Sequence, residues 1–166
     1  YCSNACCTFA LKEAIITKER FQEDIETTIF YMYMRTFGKD YELYLNRAKD
    51  DYGVRFLRSR PHSILHHEND DNLTLTYTQD DSTKQFEEKF DMVVLSTGFK
   101  TSEDTRALAT KIGLQLNDDF FPVTDGFNPV ATTKPGIYVA GTFQGPKDIP
   151  DTMVQASAAA CMAGAD

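Results

Sequence analysis

The chain lacks tryptophan, carries only four cysteines among its 166 residues, and has fewer cations than anions. Its 17 Lys and Arg residues are outnumbered by 25 Asp and Glu residues, which gives a formal net charge of −8. Because phosphate backbones are bound by clustered Lys and Arg, this charge argues against nucleic acid as a partner. The longest apolar runs, residues 29–34 and 158–163, fall far short of the ~20 residues that a membrane-spanning helix needs. We therefore expect neither nucleic-acid binding nor direct membrane insertion.

With 42% hydrophobic residues, the chain is long enough to form one well-buried domain and too short to form two large ones. No signal-peptide pattern precedes the clustered thiols, so a reducing, cytoplasmic setting is expected. The first residue is Tyr1 rather than methionine, and the last, Asp166, follows what reads as a helix. We therefore expect a piece of a longer polypeptide.

Three of the four cysteines lie within six positions, in the motif Cys2-Ser-Asn-Ala-Cys6-Cys7. Thiolates are soft, charged ligands, and an iron–sulfur cluster normally takes four of them. The spacing differs from the common zinc patterns and favours iron, with the fourth ligand upstream of Tyr1. The alternative is an unliganded, partly oxidised trio of thiols. Cys161, in an alanine-rich stretch, is expected to be a small buried residue of a helix.

The first half alternates helical and strand patterns, which predicts a parallel sheet with helical crossovers. Apolar residues at helical spacing predict helices, and dense β-branched and aromatic residues predict strands. The helix over residues 8–20 should start directly behind the thiols. The elements expected here are a helix over residues 8–20, a strand over 27–34, a helix over 39–52 closed by Gly53, and a strand over 54–57.

The middle of the chain mixes polar and apolar residues and predicts an antiparallel meander with one wet face. Its strands are expected over residues 63–66, 73–78 and 84–90, joined by turn-rich segments at 68–72 and 79–82. Three histidines fall in this region. No thiol or carboxylate spacing supports a metal site there, so a solvated hairpin is the favoured interpretation of His62, His66 and His67.

The last third is expected to contain a short, buried, parallel-type strand over residues 90–98 that ends in glycine, and a strand over residues 136–141 that runs into a glycine turn. A helix is predicted over residues 102–112 and closed by Gly113, and residues 117–135 are expected to be irregular. The final helix, over residues 148–163, should be capped by Asp148, with Pro150 in its first turn.

The order of these last elements points to a ligand. Gly98 and Gly141 end strands, where glycine permits close approach of a ligand, and a helix start at Asp148 offers free amides. Ligands of open α/β sheets bind at this edge. Residues 141–150 therefore suit a cofactor that bears negative charge. Because no Gly-x-Gly-x-x-Gly fingerprint is present, any adenine nucleotide half must be bound mostly by other sequence.

Two motifs, Val93-Val-Leu-Ser-Thr-Gly98 and Gly136-Ile-Tyr-Val-Ala-Gly141, resemble signatures of two-dinucleotide-domain flavoproteins such as thioredoxin reductase. More closely, four motifs are similar to the A subunits of heterodisulfide reductases. They are the thiol motif, Phe127-Asn-Pro129, Phe143-Gln-Gly-Pro-Lys-Asp-Ile-Pro150 and Gln155-Ala-Ser-Ala-Ala-Ala160. The resemblance extends over essentially the whole chain. It implies an oxidoreductase, an FAD- and [4Fe–4S]-containing subunit that relays or bifurcates electrons within a multisubunit redox complex.

By this resemblance, Cys2, Cys6 and Cys7 would be cluster ligands beside the flavin. Thr142 stands where flavoproteins of this class carry an acidic residue that binds the ribityl chain. Lys147 would lie near the pyrimidine edge of the flavin, where its charge stabilises the reduced form; the alternative is an ordinary surface lysine. The residues expected to bind the flavin are Gly98, Gly141, Thr142, Phe143, Gln144, Lys147, Asp148 and Ile149.

The fold class that follows is α/β, a Rossmann-like sheet of the thioredoxin-reductase type with an inserted antiparallel meander. Residues 1–98 would form the pyridine-nucleotide-domain-like half, and residues 99–166 the closing part of an FAD domain. Expected partners are the other subunits of a redox complex, with a homodimer possible. Two alternatives stay open: membership of a quinone-interacting membrane-bound oxidoreductase complex, and a docking domain whose cysteines bind structural zinc.

Overall fold

The computed structural model describes residues 1–21, 24–67, 69, 71–79 and 82–165. The chain divides into two compact units, which we describe separately. We call Cys6–Ser96 the sheet unit, and we call Tyr1–Ala5 with Thr97–Asp166 the loop unit. The first five residues thus belong to the same unit as the C-terminal part of the chain.

The sheet unit begins with the helix–strand–helix–strand order expected from the sequence, and its two strands are parallel. Thr28 of the first strand pairs with Arg55 of the second, and Tyr31 pairs with Arg58. The prediction of a parallel sheet with a helical crossover is therefore confirmed. These elements are α1 (Cys6–Phe21), β1 (Thr28–Tyr31), α2 (Tyr41–Asp50) and β2 (Arg55–Arg58).

An apolar core holds these four elements together. Leu11, Ala14 and Ile15 lie on one face of α1 and contact Ala48 of α2 and Val54, which directly precedes the second strand. Their spacing of three and four residues places them on one side of the helix. Partly buried aromatic and aliphatic side chains from β1, β2, α2 and the residues next to them surround this cluster.

Helix α1 begins two residues earlier than the sequence predicts. Cys6 and Cys7 form its first turn instead of preceding it. The first amides of a helix lack intrahelical partners and carry positive potential, which favours negative charge nearby. The expectation that the helix starts behind the thiols is therefore wrong for these two cysteines.

The meander is antiparallel, as predicted, with strand order β3-β4-β5. Its strands are β3 (Ser63–His66), β4 (Leu73–Thr78) and β5 (Gln85–Phe90). All four residues of the edge strand β3 are exposed. The turn segments predicted at 68–72 and 79–82 include residues 68, 70, 80 and 81, which lie outside the described residues.

The expectation that one face of the meander is wet is wrong for its central strand, which is buried on both faces. Leu75 and Tyr77 are buried on one face of β4, and Thr74 and Thr76 are buried on the other. A hydroxyl can be buried at low cost when it is hydrogen-bonded, and Thr74 Oγ1 lies 2.8 Å from His67 Nε2.

The other two histidines are also hydrogen-bonded to the meander. His62 Nε2 lies 3.2 Å from Thr78 Oγ1, and His66 Nε2 lies 2.9 Å from Asp71 Oδ1. Within the described ranges, no three His, Cys, Asp or Glu side chains form a group that could hold a metal ion. The exposure of His62 and His66 agrees with the favoured interpretation of a solvated hairpin, whereas His67 is half-buried.

The loop unit contains two helices, α3 (Glu103–Ile112) and α4 (Ile149–Ala165), and a short 3-10 helix over Gly141–Phe143. Ser102 Oγ caps α3 by accepting a hydrogen bond from Thr105 N at 3.2 Å. Gly113 ends the helix with φ 75°, a conformation that favours glycine. Both boundaries confirm the prediction. None of the helices in the described ranges is long and apolar enough to cross a membrane.

The strands predicted over residues 90–98 and 136–141 are not formed. Residues 93–98 adopt no regular structure, and Val94 and Leu95 are 67% and 70% exposed. Residues 136–141 make one isolated bridge, between Ala131 and Tyr138. A strand needs a neighbouring backbone to complete its hydrogen bonds, and no described strand pairs with either segment. The apolar pattern alone could not supply this information.

The expectation that Cys161 is buried is also wrong. The residue lies in α4, as predicted, but it is exposed. None of the described residues of α4 is buried. Because the surrounding side chains are nearly all small, the sequence defines no apolar stripe that would fix a packed face.

Candidate functional site

The turn at Gly141 is the centre of the candidate site in the loop unit. Gly141 has φ 73°, and a Cβ built there would lie 3.1 Å from Thr152 Cγ2. Its amide donates to Gln155 Oε1 at 3.1 Å. Both the left-handed backbone and the close approach of α4 therefore require glycine at this position.

Lys147 is buried beneath this turn and is only 8% exposed. Its Nζ donates to Gly141 O at 3.0 Å, to Gln144 Oε1 at 2.8 Å and to Gly145 O at 2.7 Å. An ammonium has three N–H donors, so these three contacts use all of them. Burial lowers the pKa of Lys147, and the nearby Asp151 carboxylate raises it in part. The alternative interpretation, a surface lysine, is wrong.

Gln144 connects the buried ammonium to the neighbouring elements. Its Oε1 also accepts from Gln155 Nε2 at 3.1 Å, and its Nε2 donates to Thr124 Oγ1 at 3.2 Å. We call Gln144, Lys147 and Gln155 the polar clasp. Sequence reasoning expected the first two at the site and gave Gln155 and Thr124 no role, because residues so far apart in sequence show no periodicity that would link them.

Helix α4 begins directly after the clasp. Asp148 Oδ1 accepts from Asp151 N at 2.9 Å, and this confirms the predicted cap. Thr152 Oγ1 donates to Asp148 O at 2.8 Å, which adds a second bond to the first turn. Beside the clasp, Thr142 and Ile149 are exposed and Phe143 is half-buried. The loop therefore presents a hydroxyl and apolar groups outward and keeps its ammonium inside.

The N-terminal segment packs against this same region of the loop unit. Asn4 Nδ2 donates to Pro146 O at 3.0 Å. A Cβ built on Gly98 would lie 3.0 Å from Ser3 Cβ, so the absence of a side chain at Gly98 admits the segment. Cys2 Sγ accepts a hydrogen bond from Asn4 N at 3.4 Å. The structure thus places Ser3 against Gly98 and Asn4 against Pro146, so the segment that carries the first thiol lies beside the loop over residues 141–150.

In the sheet unit, the other two thiols lie where the amino end of α1 meets the carboxyl end of the first strand. Cys7 Sγ donates to Tyr33 O at 3.8 Å, and Tyr33 follows β1 by two residues. The carbonyl of Cys6 accepts from Ser96 Oγ at 2.9 Å. All three N-terminal cysteines are half-buried. Ligands of open α/β sheets bind at this carboxyl edge.

The residue types present suit the two groups that the sequence implies, although Cys2, Cys6 and Cys7 do not form a metal-binding group in the described part of the chain. Thiol side chains are the donors that iron–sulfur clusters take, and a hydrogen bond to sulfur, as at Cys2, is one way in which proteins support such ligands. Around the clasp, an outward-facing hydroxyl beside exposed apolar side chains matches the mixed polar and apolar character of a flavin.

Comparison with known proteins identifies the family of the chain. Residues 13–160 match the family model described as pyridine nucleotide-disulphide oxidoreductase. The A subunit of an H(2):CoB-CoM heterodisulfide,ferredoxin reductase from Methanothermobacter thermautotrophicus is 42% identical over 98% of this chain and 25% of its own length. The iron-sulfur A subunit of a CoB–CoM heterodisulfide reductase from Methanocaldococcus jannaschii is 42% identical over 96% of this chain and 24% of its own.

A protein of Archaeoglobus profundus, named as resembling the A subunit of heterodisulfide reductase, is 36% identical over 98% of this chain and 23% of its own length. The chain spans about a quarter of the length of the curated relatives it matches. The family model itself covers most of the chain, including α2, the meander, α3 and most of α4. The chain therefore belongs to the pyridine nucleotide-disulphide oxidoreductase family, an oxidoreductase family of Rossmann-like α/β fold.

Proposed function

We propose that this chain is the part of a heterodisulfide reductase-type electron-transfer protein where an FAD and a [4Fe–4S] cluster lie side by side. One observation carries the proposal: the segment bearing Cys2 packs on both Gly98 and Pro146 of the candidate flavin loop. A thiolate-bound cluster held by that segment would adjoin the flavin. The relatives' names support it, since they describe the A subunits of heterodisulfide reductases, and three of them specify an iron-sulfur subunit.

The three N-terminal cysteines would hold the cluster. Cys6 and Cys7 lie in the first turn of α1, where unpaired amides favour negatively charged ligands. The Asn4 amide already donates to Cys2 Sγ and would stabilise its thiolate. A fourth ligand must come from another part of the protein, because such clusters take four.

The loop over residues 141–150 would hold the flavin edge, and FAD would supply the hydride and single-electron chemistry. Thr142 would bond the ribityl chain through its outward-facing hydroxyl, and the Phe143 and Ile149 side chains would contact the ring. The Lys147 charge would favour the reduced flavin through space, because its three N–H donors are already bound within the clasp. The Asp148 cap would orient the first amides of α4.

The relatives are named as single subunits of larger enzymes, which supports other subunits as partners of this protein. Several of those names include ferredoxin, and we propose that the intact protein exchanges electrons with a protein carrier of that kind. A cytoplasmic location and a homodimer belong to the same proposal.

Iron content tests the cluster assignment in the intact protein purified without oxygen. Cys2→Ser, Cys6→Ser and Cys7→Ser should each lose most of the iron and the brown absorption. Cys161→Ser is the matched control, because that thiol is exposed on α4 and should leave iron unchanged. Full iron loading in Cys6→Ser would contradict the assignment, and zinc in place of iron would favour the structural-zinc alternative.

A redox titration tests the flavin loop. Lys147→Met should shift the flavin midpoint potential negative by some tens of millivolts, since ~30 mV corresponds to about 1.4 kcal/mol for a two-electron couple. Lys100→Met, at an exposed position of the same unit, is the control and should not shift it. Thr142→Ala should weaken FAD retention with little change in potential, because a ribityl contact is insensitive to the charge of the ring. An unchanged potential in Lys147→Met would remove the flavin role of that lysine.

A further inference from the structure

Two stretches of the sheet unit carry cations and no carboxylates. Residues 28–39 and residues 52–67 contain no Asp or Glu, although the whole chain has 25 of them. The two stretches hold five of the 17 Lys and Arg residues, namely Arg35, Lys39, Arg55, Arg58 and Arg60. Each stretch includes one of the two parallel strands and the residues that follow it. The local charge of these two stretches is therefore positive, although the net charge of the whole chain is −8.

The fold places both stretches at one end of the parallel sheet. Tyr31 and Arg58 are paired at the last position of β1 and β2, and Ser59 N donates to Tyr31 O at 2.9 Å. The two segments therefore leave the sheet together at its carboxyl edge, and the cations that follow the strands lie in these two segments. The guanidinium of Arg58 lies 5.9 Å from the centre of the Tyr33 ring, which links the two stretches directly. Arg55 is not part of this group, since it pairs with Glu88.

Large apolar side chains are exposed among these cations. Met32, Tyr33 and Phe37 are 52%, 67% and 51% exposed, and Arg35, Arg58 and Arg60 are exposed as well. Aromatic residues, Met and Arg are the types enriched in protein–protein interfaces. We call these six residues the basic edge: Met32, Tyr33, Arg35, Phe37, Arg58 and Arg60.

The basic edge adjoins one of the candidate cluster ligands. Cys7 Sγ donates to Tyr33 O, so the thiol and the exposed Tyr33 are in direct contact. A protein seated on Tyr33 would therefore approach Cys7 closely. Exposed tips of aromatic and Met side chains suit the flat surface of another protein better than they suit a small nucleotide. Neither stretch contains a glycine-rich phosphate-binding loop.

We propose that the basic edge is the docking surface for an acidic electron-carrier protein, an inference that rests on the proposed electron-transfer function. The net negative charge of the chain repels an acidic carrier that approaches from most directions, and the basic edge attracts the carrier to one place. Complementary charge of this kind raises the association rate and fixes orientation. The carrier is thereby directed to the end of the sheet where Cys7 lies.

Binding of an acidic two-cluster ferredoxin to the intact protein tests the proposal. Arg58→Glu with Arg60→Glu should raise the Kd at least tenfold at low salt, and Arg35→Glu alone should raise it severalfold. The effect should shrink at about 0.5 M salt, where the Debye length falls to roughly 4 Å. The matched control, Lys12→Glu with Lys84→Glu, changes the net charge equally at two exposed positions of the same unit. It should change the Kd by less than twofold.

Three outcomes would overturn the proposal. One is an equal loss in the control, because the effect would then follow net charge. Another is unchanged ferredoxin binding in the Arg58 and Arg60 variant while its iron and flavin contents are normal; this leaves the proposed function intact. The third is loss of NADPH binding in that variant with ferredoxin binding retained, which would make the edge a nucleotide site. If the intact protein contains no iron, and ferredoxin binding is lost in the Arg58 and Arg60 variant but kept in the control, the docking surface would be supported and the cluster assignment refuted.

Discussion

Different kinds of interaction stabilise the interior of the sheet unit and the interior of the loop unit. In the sheet unit, α1, α2 and the strands pack around a cluster of aliphatic side chains in which Leu11 and Ala48 are fully buried. In the loop unit, the clasp of Gln144, Lys147 and Gln155 organises the turn at Gly141 through hydrogen bonds. Aliphatic packing is non-directional and tolerates adjustment, whereas a buried polar network requires every partner.

This contrast matches the chemistry proposed for each unit. A loop that binds a cofactor must present fixed polar groups, and fixed polar groups need supporting hydrogen bonds. The sheet unit needs only to hold the amino end of α1 and the carboxyl end of the first strand in place. If the two units depend on these different interactions, substitutions in the aliphatic core and in the clasp should destabilise different parts of the chain.

Leu11→Ala should produce the largest loss, about 2–5 kcal/mol of the free energy of unfolding, because it opens a cavity in a fully buried site. Hydrogen exchange followed by mass spectrometry should show faster exchange across residues 6–58 and little change in residues 141–152. Leu43→Ala, at an exposed position of α2, is the control and should cost less than about 0.5 kcal/mol. Equal acceleration in both units would show that they unfold as one.

Lys147→Met should cost about 1–3 kcal/mol, because Gly141 O, Gly145 O and Gln144 Oε1 lose their shared donor while the side-chain volume is kept. Exchange should accelerate around residues 141–152 and stay unchanged in the core of α1. Lys100→Met, an exposed lysine in the same unit, should have no measurable effect. A stability equal to that of the unmodified protein would mean that the clasp does not support the loop.

Gly141→Ala should cost roughly 1–2 kcal/mol, since an L-residue at φ 73° is strained and the new Cβ would press on Thr152. Denaturant unfolding monitored by circular dichroism measures this loss. Gly164→Ala is the control, because a Cβ at that position of α4 meets no atom within 4 Å. It should be neutral or slightly stabilising, as alanine is the better helix former. A neutral Gly141→Ala would show that the turn can rearrange.

Tyr77→Phe should have the smallest effect, about 1 kcal/mol, from the loss of the hydrogen bond from Tyr77 Oη to Glu88 Oε2. Burial, and then the bond to Glu88, raise the pKa of Tyr77 above its ordinary value of 10.0. A raised pKa in the folded state means that the contribution is complete below pH 10.0 and is lost as the pH rises through the folded-state pKa. The difference in unfolding free energy between the two proteins should be constant from about pH 7 to 9 and decline above pH 10.0. A constant difference at higher pH would contradict this.

Much of the fold could be predicted from local patterns, because its elements carry their own signals. The alternation of residues 73–78 gave the bounds of β4, and Ser102 with Gly113 gave both ends of α3. The strands expected at residues 93–98 and 136–141 failed because strand formation depends on a partner that local sequence does not describe. The exposed position of Cys161 was missed for a related reason. An alanine-rich helix has nearly the same sequence pattern whether it is buried or exposed to solvent.

Part of the geometry around the candidate site could be predicted from the sequence, but its hydrogen bonds could not. Glycines and a helix start indicated residues 141–150, and the structure places the segment that carries Cys2 beside Gly98 and this loop. The burial of Lys147 had no local signal, because its neighbours Pro146 and Asp148 are typical of an exposed turn. Its partners Gly141, Gln144 and Gly145 precede it by two to six residues, and only the folded turn brings their oxygens to one point.

The exposed edge strand β3 has a consequence for the behaviour of the protein at high concentration. Ser63–His66 contains no Lys, Glu or Pro, and Ile64 and Leu65 are exposed. Natural sheets usually protect such an edge with charge, because it can pair with another extended chain. The other edge, β5, carries Glu87, Glu88 and Lys89 and is protected in this way. Self-association of the meander should therefore begin at β3, and Leu65→Lys is the substitution that would prevent it.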